Sequence, residues 1–360
     1  MKRISFLLPI ISLKPAGGYK IVYEYANYLA KTGYEVDIVY PAYIYRYRMP
    51  IFMEYIRMVK SWIQSHRALR AYKTWYKLHQ GVTEHFVWDL KEDNVPPADF
   101  YVATYVKTAV YLEKYKRIPA ANKFYLIQGY ENWGDVSTEN LISTYHLNLR
   151  KIVVSTWLAK KVREQQETCT FIPNGFDFNY FKKTIEIKDK DRYCVTMMYH
   201  THQPKGCDDG FKALSIVKSK IPQLHVNLFG VSERPANLPT WYDYYQQPDQ
   251  TTHNKIYNEA ALFLGTSWSE GWGLTIGEAM MCGCAIVCTD NLGYKEMVKD
   301  GDTALISPIK SPVQLADNII KLMTDNTLRE EMAARGFQHI QQFNWENSFK
   351  KFSELFKQEE

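Results

Sequence analysis

Cysteine is scarce, with six residues in 360: Cys169, Cys194, Cys207, Cys282, Cys284 and Cys288. Spread unevenly and without a C-x-x-C pair, they exclude the disulfide framework of a small secreted domain. Long apolar runs are also missing. No stretch approaches the roughly 20 residues that cross a bilayer, so a spanning helix is not expected. The opening MKRISFLLPIISLKP mimics a signal peptide, with two basic residues before an apolar run. That run is short, lacks a small-residue cleavage site and leads into PAGGYK, so it reads as a buried first strand. Together these absences predict a reducing, cytoplasmic compartment. Low-complexity segments and solenoid-length repeats are absent as well.

What is present is globular. Hydrophobic residues make up 46% of the chain and charged residues 23%, which excludes disordered and fibrous classes. A length of 360 residues is typical of two domains. The net charge is only +5, but it is unevenly placed. Between Tyr43 and Gln80 stand eight Arg or Lys residues (Arg46, Arg48, Arg57, Lys60, Arg67, Arg70, Lys73, Lys77) against one acid, Glu54. Eight minus one gives a local excess larger than that of the whole chain, so the basic charge is a patch, and patches suggest partners. Pro50 opens a predicted helix with Phe52, Tyr55, Met58, Val59 and Trp62 on one face and Arg57, Lys60 and Arg67 on the other. A basic amphipathic helix rich in aromatics either docks on an anionic membrane surface or packs on its own domain. Nothing else in the sequence supports nucleic-acid binding.

The pattern along the chain is strand, glycine turn, helix, strand. Ile4–Ile11 is apolar and ends at Lys14-Pro15-Ala16-Gly17-Gly18; Ile21, Tyr25, Tyr28 and Leu29 recur at helical spacing; Val36–Tyr40 is strand-like. Further strand-like runs are Phe100–Thr104, Phe124–Ile127, Lys151–Val154 and Thr170–Ile172. The charged stretch Lys182–Arg192 reads as a linker, after which the alternation restarts with Tyr193–Tyr199, helical Asp209–Ser219, His225–Phe229, Ala261–Leu264, helical Leu274–Met281 and Ala285–Cys288. Two successive β/α series predict two doubly wound, Rossmann-like domains facing each other across a cleft. Their expected bounds are 1–180 and 181–340, with a last helical stretch at 341–360 that packs on either one.

The densest chemistry lies in SWSEGWGLTIGEAMMCGCAIVC, residues 267–288. A strand-like run, a loop carrying Gly271 and Gly273, and a helix starting at Leu274 place free backbone N–H groups where they can hold a phosphate oxygen. Glycines let a ligand approach the backbone closely. Glu270 falls at the loop mouth and Glu278 about one turn into the helix, either as ligand contacts or as a solvated residue and a partner of the helix dipole. Lys205, in His200-Thr201-His202-Gln203-Pro204-Lys205-Gly206, follows another strand and can neutralise a diphosphate. His200 and His202 alternate as zinc ligands sometimes do, but no third ligand is near, and no metal site is expected. Asp209 is placed to cap the helix beginning at Gly210. Cys282, Cys284 and Cys288 read as core residues in a buried strand. Gly17-Gly18 open the first helix without a complete G-x-G-x-x-G fingerprint, which leaves an anion-tolerant turn.

The stretch EGWGLTIGEAMMCGCAIVCTDNLGYKEMVKDG from Glu270 to Gly301 closely resembles the signature of retaining GT-B glycosyltransferases of the large family 4 group. Ile172-Pro173-Asn174-Gly175-Phe176-Asp177, Pro204-Lys205-Gly206, the Gly-Gly turn and Phe343-Asn344-Trp345 agree with other parts of that pattern. The resemblance implies that Glu278 binds the ribose of a nucleotide-sugar donor and Glu270 touches the donor sugar. It implies that Lys205 holds the diphosphate, surrounded by Gly17, Gly18, Gly271, Trp272, Gly273, Leu274 and Thr275. It also implies a hexosyltransferase that needs no metal or other cofactor. The acceptor would be a saccharide or lipid-linked saccharide in bacterial surface-polysaccharide synthesis, reached from the inner membrane face with Arg57, Lys60 and Arg67 as docking residues. The sequence departs from the family at two places. His200 stands where the family often has arginine, and an imidazole stabilises a leaving diphosphate less than a guanidinium does. In Ile127-Gln128-Gly129-Tyr130-Glu131, Gln128 or Glu131 takes the slot of a histidine that approaches the donor sugar. A nucleotide-sugar epimerase and a non-catalytic nucleotide-sugar-binding subunit are the alternative readings.

Overall fold

The computed structural model describes residues 1–45, 53, 56, 59, 60, 63 and 75–357. Strands form where β-branched and aromatic residues run together. β1 (Arg3–Leu7) lies between β2 (Glu35–Pro41) and β4 (Phe100–Ala103), with Phe6 level with Ile38 on one side and Val102 on the other. β3 (Val82–Val87), β5 (Lys123–Ile127), β6 (Arg150–Val153) and β7 (Cys169–Phe171) complete a parallel sheet of order β3-β2-β1-β4-β5-β6-β7. Central strands buried on both faces read as continuous apolar runs; β4 and β5 are buried at every residue. α1 (Gly17–Lys31) covers this sheet with Ile21, Val22, Tyr25, Ala26 and Leu29, the three-to-four spacing of a helix with one inward face. α2 (Val106–Glu113), α3 (Thr138–Tyr145) and α4 (Thr156–Arg163) follow β4, β5 and β6 in turn.

The second sheet has the order β10-β9-β8-β11-β12-β13 and is also parallel. Its strands are β8 (Asp191–Tyr199), β9 (His225–Gly230), β10 (Tyr242–Gln246), β11 (Ala260–Gly265), β12 (Ala285–Thr289) and β13 (Ala304–Ser307). α5 (Cys207–Lys220), α6 (Gln250–Glu259), α7 (Leu274–Met281), α8 (Pro312–Thr324) and α9 (Asn326–Ile340) alternate with or follow them. Val195, Met197, Leu214, Leu228, Leu264, Val287 and Ile319 meet in one apolar core.

Two compact units result: Met1–Asn174 together with the segment from Glu346, and Gly175–Trp345. The closing α10 (Trp345–Glu354) brings aromatics to the first unit, where Phe352 stacks on Tyr25 at 3.9 Å and Phe356 meets Phe124 edge-on at 5.1 Å. Both phenylalanines are fully buried, and each such burial contributes about 1.5–3 kcal/mol.

Two expectations are corrected. Lys182–Arg192 is not a free linker. Lys190 is buried and its ammonium donates to the carbonyls of Tyr257, Asn258 and Ala260 at the end of α6, where a cation offsets the helix dipole. Asn258 also receives the Thr184 amide at 2.7 Å and donates to Lys182 O at 3.0 Å. On the predicted basic helix, Arg57, Arg67, Phe52, Tyr55, Met58 and Trp62 lie outside the described residues. Residues 53, 56, 59, 60 and 63 are helical. Val59, expected opposite Lys60, is exposed as Lys60 is, and Met53, Ile56 and Ile63 are exposed as well. Residues three and four apart share one face of a helix, so the outward face carries aliphatic side chains beside its lysine. Among the described residues no helix is long and apolar enough to cross a membrane.

Candidate functional site

The second unit gathers the acidic pair and the lysine at the carboxyl ends of its strands, where α/β sheets place ligands. After β8 the chain makes a short turn, Gln203–Lys205, and enters α5 through Gly206. Gly206 has φ of +65°, and a Cβ there would lie 2.1 Å from Thr266 O. Only glycine fits both the left-handed backbone and the contact, so the lysine loop is pressed against the loop leaving β11. That second loop runs to Gly273, which caps α7 at φ of +94°.

This apposition sets the geometry of the pair. Lys205 Nζ donates to Glu270 Oε1 at 2.7 Å, and Ser267 Oγ donates to the same oxygen at 2.7 Å. The pair is partly open to solvent, with side-chain exposures of 27% for Lys205 and 17% for Glu270, which leaves it accessible to a ligand. At the start of α7 the Ile276 amide turns back to Gly273 O. The Leu274 and Thr275 amides precede it in the first turn and have no acceptor four residues back within the helix. Glu278, one turn on, is buried, and its Oε2 accepts the Tyr257 hydroxyl at 3.2 Å. Gly277 beside it gives room to the Phe176 ring, which a Cβ would meet at 2.1 Å.

The remaining sites expected in this unit fall nearby in different roles. His200 accepts the His202 amide through Nδ1 at 2.9 Å; burial, then the neighbouring Lys205 and His202, lower its pKa. A neutral imidazole is thus favoured near pH 7. Trp272 is buried with its ring edge-on to Phe343 at 5.4 Å, so its side chain packs and only its backbone faces the loop. Asp209 is not the cap of α5: that helix starts at Cys207, and Asp209, in its first turn, accepts the Trp268 indole N–H at 2.8 Å. Cys282, Cys284 and Cys288 are free and buried, though β12 begins at Ala285, so two of them precede the strand. Among the described residues no group of three His, Cys, Asp or Glu side chains could hold a metal ion.

In the first unit, Gly17 and Gly18 form the first turn of α1 behind Ala16, with no side-chain cap. Gln128, at the end of β5, donates to Gly18 O at 3.2 Å. Glu131 is buried, and its Oε2 accepts the Val106 amide at the start of α2 at 3.0 Å. Burial raises the Glu131 carboxyl to about 8 against the opposing pull of that amide. Of the two candidates for one slot, Gln128 is thus the one at the glycine turn.

Sequence reasoning passed over Ser267, Tyr257, Asn291 and Tyr294. Asn291 Nδ2 and Thr289 Oγ1 both donate to Ser267 O, and Tyr294 packs where a Cβ on Gly273 would stand, 2.5 Å away. No spacing signal marks such contacts, because each partner lies on a different β/α unit.

Residues 179–339 match the family model for glycosyl transferases group 1. An O-antigen chain mannosyltransferase B of Escherichia coli is 36% identical over 92 residues, which is 26% of this chain and 24% of that protein. A phosphatidyl-myo-inositol mannosyltransferase of Mycobacterium tuberculosis is 22% identical over 188 residues, 48% of this chain and 50% of that protein. The chain therefore matches half or less of the length of these curated relatives. Among solved structures, Anabaena Alr3699/HepE in complex with UDP and glucose superposes with a TM-score of 0.71 at 15% identity, covering 98% of this chain and 99% of that one. That likeness places both units in the GT-B class of paired Rossmann-like folds. The likeness to glycosyl transferases group 1 thus covers residues 179–339, less than half of the chain.

Proposed function

We propose that the chain is a retaining glycosyltransferase. It moves a hexosyl group from a UDP-, dTDP- or GDP-sugar to a saccharide or lipid-linked saccharide in the synthesis of a bacterial surface polysaccharide or glycolipid. The observation that carries this reading is the convergence of Lys205, Glu270 and the start of α7 within one unit. A cation and a row of helix-start amides suit a diphosphate, and a carboxyl group beside them suits sugar hydroxyls. Glu278 takes the ribose hydroxyls. Relatives named as mannosyltransferases and a neighbour described with UDP and glucose support the nucleotide-sugar reading.

In the proposed reaction the bond from the anomeric carbon to the leaving phosphate oxygen loosens first. Lys205 and the α7 amides stabilise the charge that develops on the diphosphate. The acceptor oxygen attacks from the same face, and its proton passes to the departing phosphate oxygen. Lys205 supplies the positive charge that a divalent cation supplies elsewhere, so the reaction is proposed to be metal-independent. Glu131, protonated and buried near neutral pH, orders the start of α2. His200, in the same unit as Lys205, faces the diphosphate as a neutral donor.

The exposed aliphatic residues Met53, Ile56, Val59 and Ile63 beside Lys60 support peripheral docking at the cytoplasmic membrane face, with Arg57 and Arg67 adding charge. The test of the catalytic reading is nucleotide release from a panel of sugar nucleotides, with and without a lipid-linked saccharide acceptor. Acceptor-dependent release that Glu270→Ala abolishes is the expected result. Release independent of acceptor, or unchanged by the substitution, contradicts it.

A further inference from the structure

We propose that Ser267 is the positioning residue for Glu270, holding one carboxyl oxygen so that the other is presented to the donor sugar. This rests on the proposed function of the same site and adds a residue that the motif does not name.

The geometry supports it in three steps. First, both donors to Glu270 converge on Oε1: Lys205 Nζ and Ser267 Oγ each stand at 2.7 Å. No donor reaches Oε2 among the described residues, so that oxygen is left for a ligand hydroxyl. Second, Ser267 is itself fixed. It is 2% exposed, and its carbonyl accepts from Thr289 Oγ1 and from Asn291 Nδ2. Asn291 is held in turn, its Oδ1 accepting the Tyr294 amide at 3.1 Å. A Cβ on Gly293 would lie 2.4 Å from Glu270 O, so the loop carrying these donors rests directly on the glutamate backbone. A hydroxyl anchored this way loses little further freedom when it orients a neighbour.

Third, the two donors are not equivalent once a diphosphate binds. Lys205 is the cation that the phosphate oxygens attract, and turning toward them weakens its hold on Glu270. Ser267 has no such competing ligand. It therefore matters most when donor is bound, the moment at which Glu270 must meet the sugar. A glutamate side chain with three rotatable bonds and one lost anchor would otherwise sample orientations that miss the reacting carbon.

The test compares wild type, Ser267→Ala, Glu270→Ala and the double variant. For each, affinity for the nucleoside diphosphate alone, affinity for the intact sugar nucleotide, and kcat are measured, and melting curves confirm folding. Ser267→Ala is expected to bind the nucleoside diphosphate within about twofold of wild type. It should lose the added affinity that the sugar confers and lower kcat about tenfold. Ser267→Thr, which keeps the hydroxyl, should recover most of that loss. The double variant should bind the intact sugar nucleotide no more weakly than Glu270→Ala alone, because the serine acts through the glutamate. Turnover of Ser267→Ala within twofold of wild type, or losses that multiply in the double variant, overturns the inference while leaving the function standing. If wild type neither binds nor turns over any sugar nucleotide, the proposed function falls, and this inference falls with it.

Discussion

The Tyr257 hydroxyl, on α6, donates to Glu278 Oε2, on α7, at 3.2 Å, with both residues buried. Burial and the adjoining glutamate push the Tyr257 hydroxyl well above its ordinary pKa, so it stays a donor at any working pH. His253 stacks on the ring at 5.2 Å, and Lys190 and Cys284 Sγ hold the Tyr257 carbonyl. The glutamate assigned to the ribose is thus oriented by a tyrosine that is itself clamped from several sides.

Tyr257→Phe removes that bond and keeps the ring. A hydrogen bond to a charged acceptor is worth about 1.5–3 kcal/mol, so nucleoside diphosphate affinity should fall roughly tenfold or more. Calorimetric titration checks this. Unchanged affinity would separate Glu278 from the ribose.

Glu131 predicts a pH effect on stability. Its carboxyl is raised from 4.5 to about 8 by burial. In the unfolded chain the same group loses its proton near 4.5, so between these values the folded state binds more protons. Stability from this group is full below about pH 4.5 and is lost as pH rises toward 8, with a slope of at most roughly 1.4 kcal/mol per unit. Glu131→Gln still accepts from the Val106 amide but does not titrate. Denaturation across pH 5–8 should show a flatter profile for the variant and a higher stability at pH 7.5. Parallel profiles would contradict the assignment.

Gly273 combines φ of +94° with a Tyr294 ring atom 2.5 Å from where a Cβ would stand. Gly273→Ala should cost about 1–3 kcal/mol from the backbone alone, and the clash shifts the start of α7. A lowered melting temperature and lost nucleotide binding are expected together. Retention of both would mean that the loop has another resting geometry.

The sequence reveals the inner strands and conceals three of the four outer ones, β7 being the exception, for a physical reason. β1, β2, β4, β5, β6, β8, β9, β11 and β12 are interior to their sheets and carry the apolar runs from which they are read. β3 (VTEHFV), β10 (YDYYQ) and β13 (ALIS) are edge strands. The first two mix polar and aromatic residues, which breaks up the apolar run. In the site, Glu270, Glu278 and Lys205 announce themselves through a compact motif and a glycine-framed loop. Ser267 and Tyr257 do not, because their meaning depends on which atoms they face after folding. Asp209 misled because an acid near a helix start suits a cap, whereas its partner, Trp268, is 59 residues away.

The central claim is that Lys205 and the start of α7 hold the diphosphate of a sugar nucleotide. A thermal-shift panel of UDP, dTDP, GDP and their sugars, on wild type and Lys205→Ala, tests it most directly. Binding at a hundredfold excess over Kd adds about 2.7 kcal/mol, a rise on the order of 5 °C for a unit of this size. The account predicts that rise for one nucleotide and its sugars in wild type and its loss in Lys205→Ala. No stabilisation by any of them at millimolar concentration, or an equal rise in the variant, would contradict it.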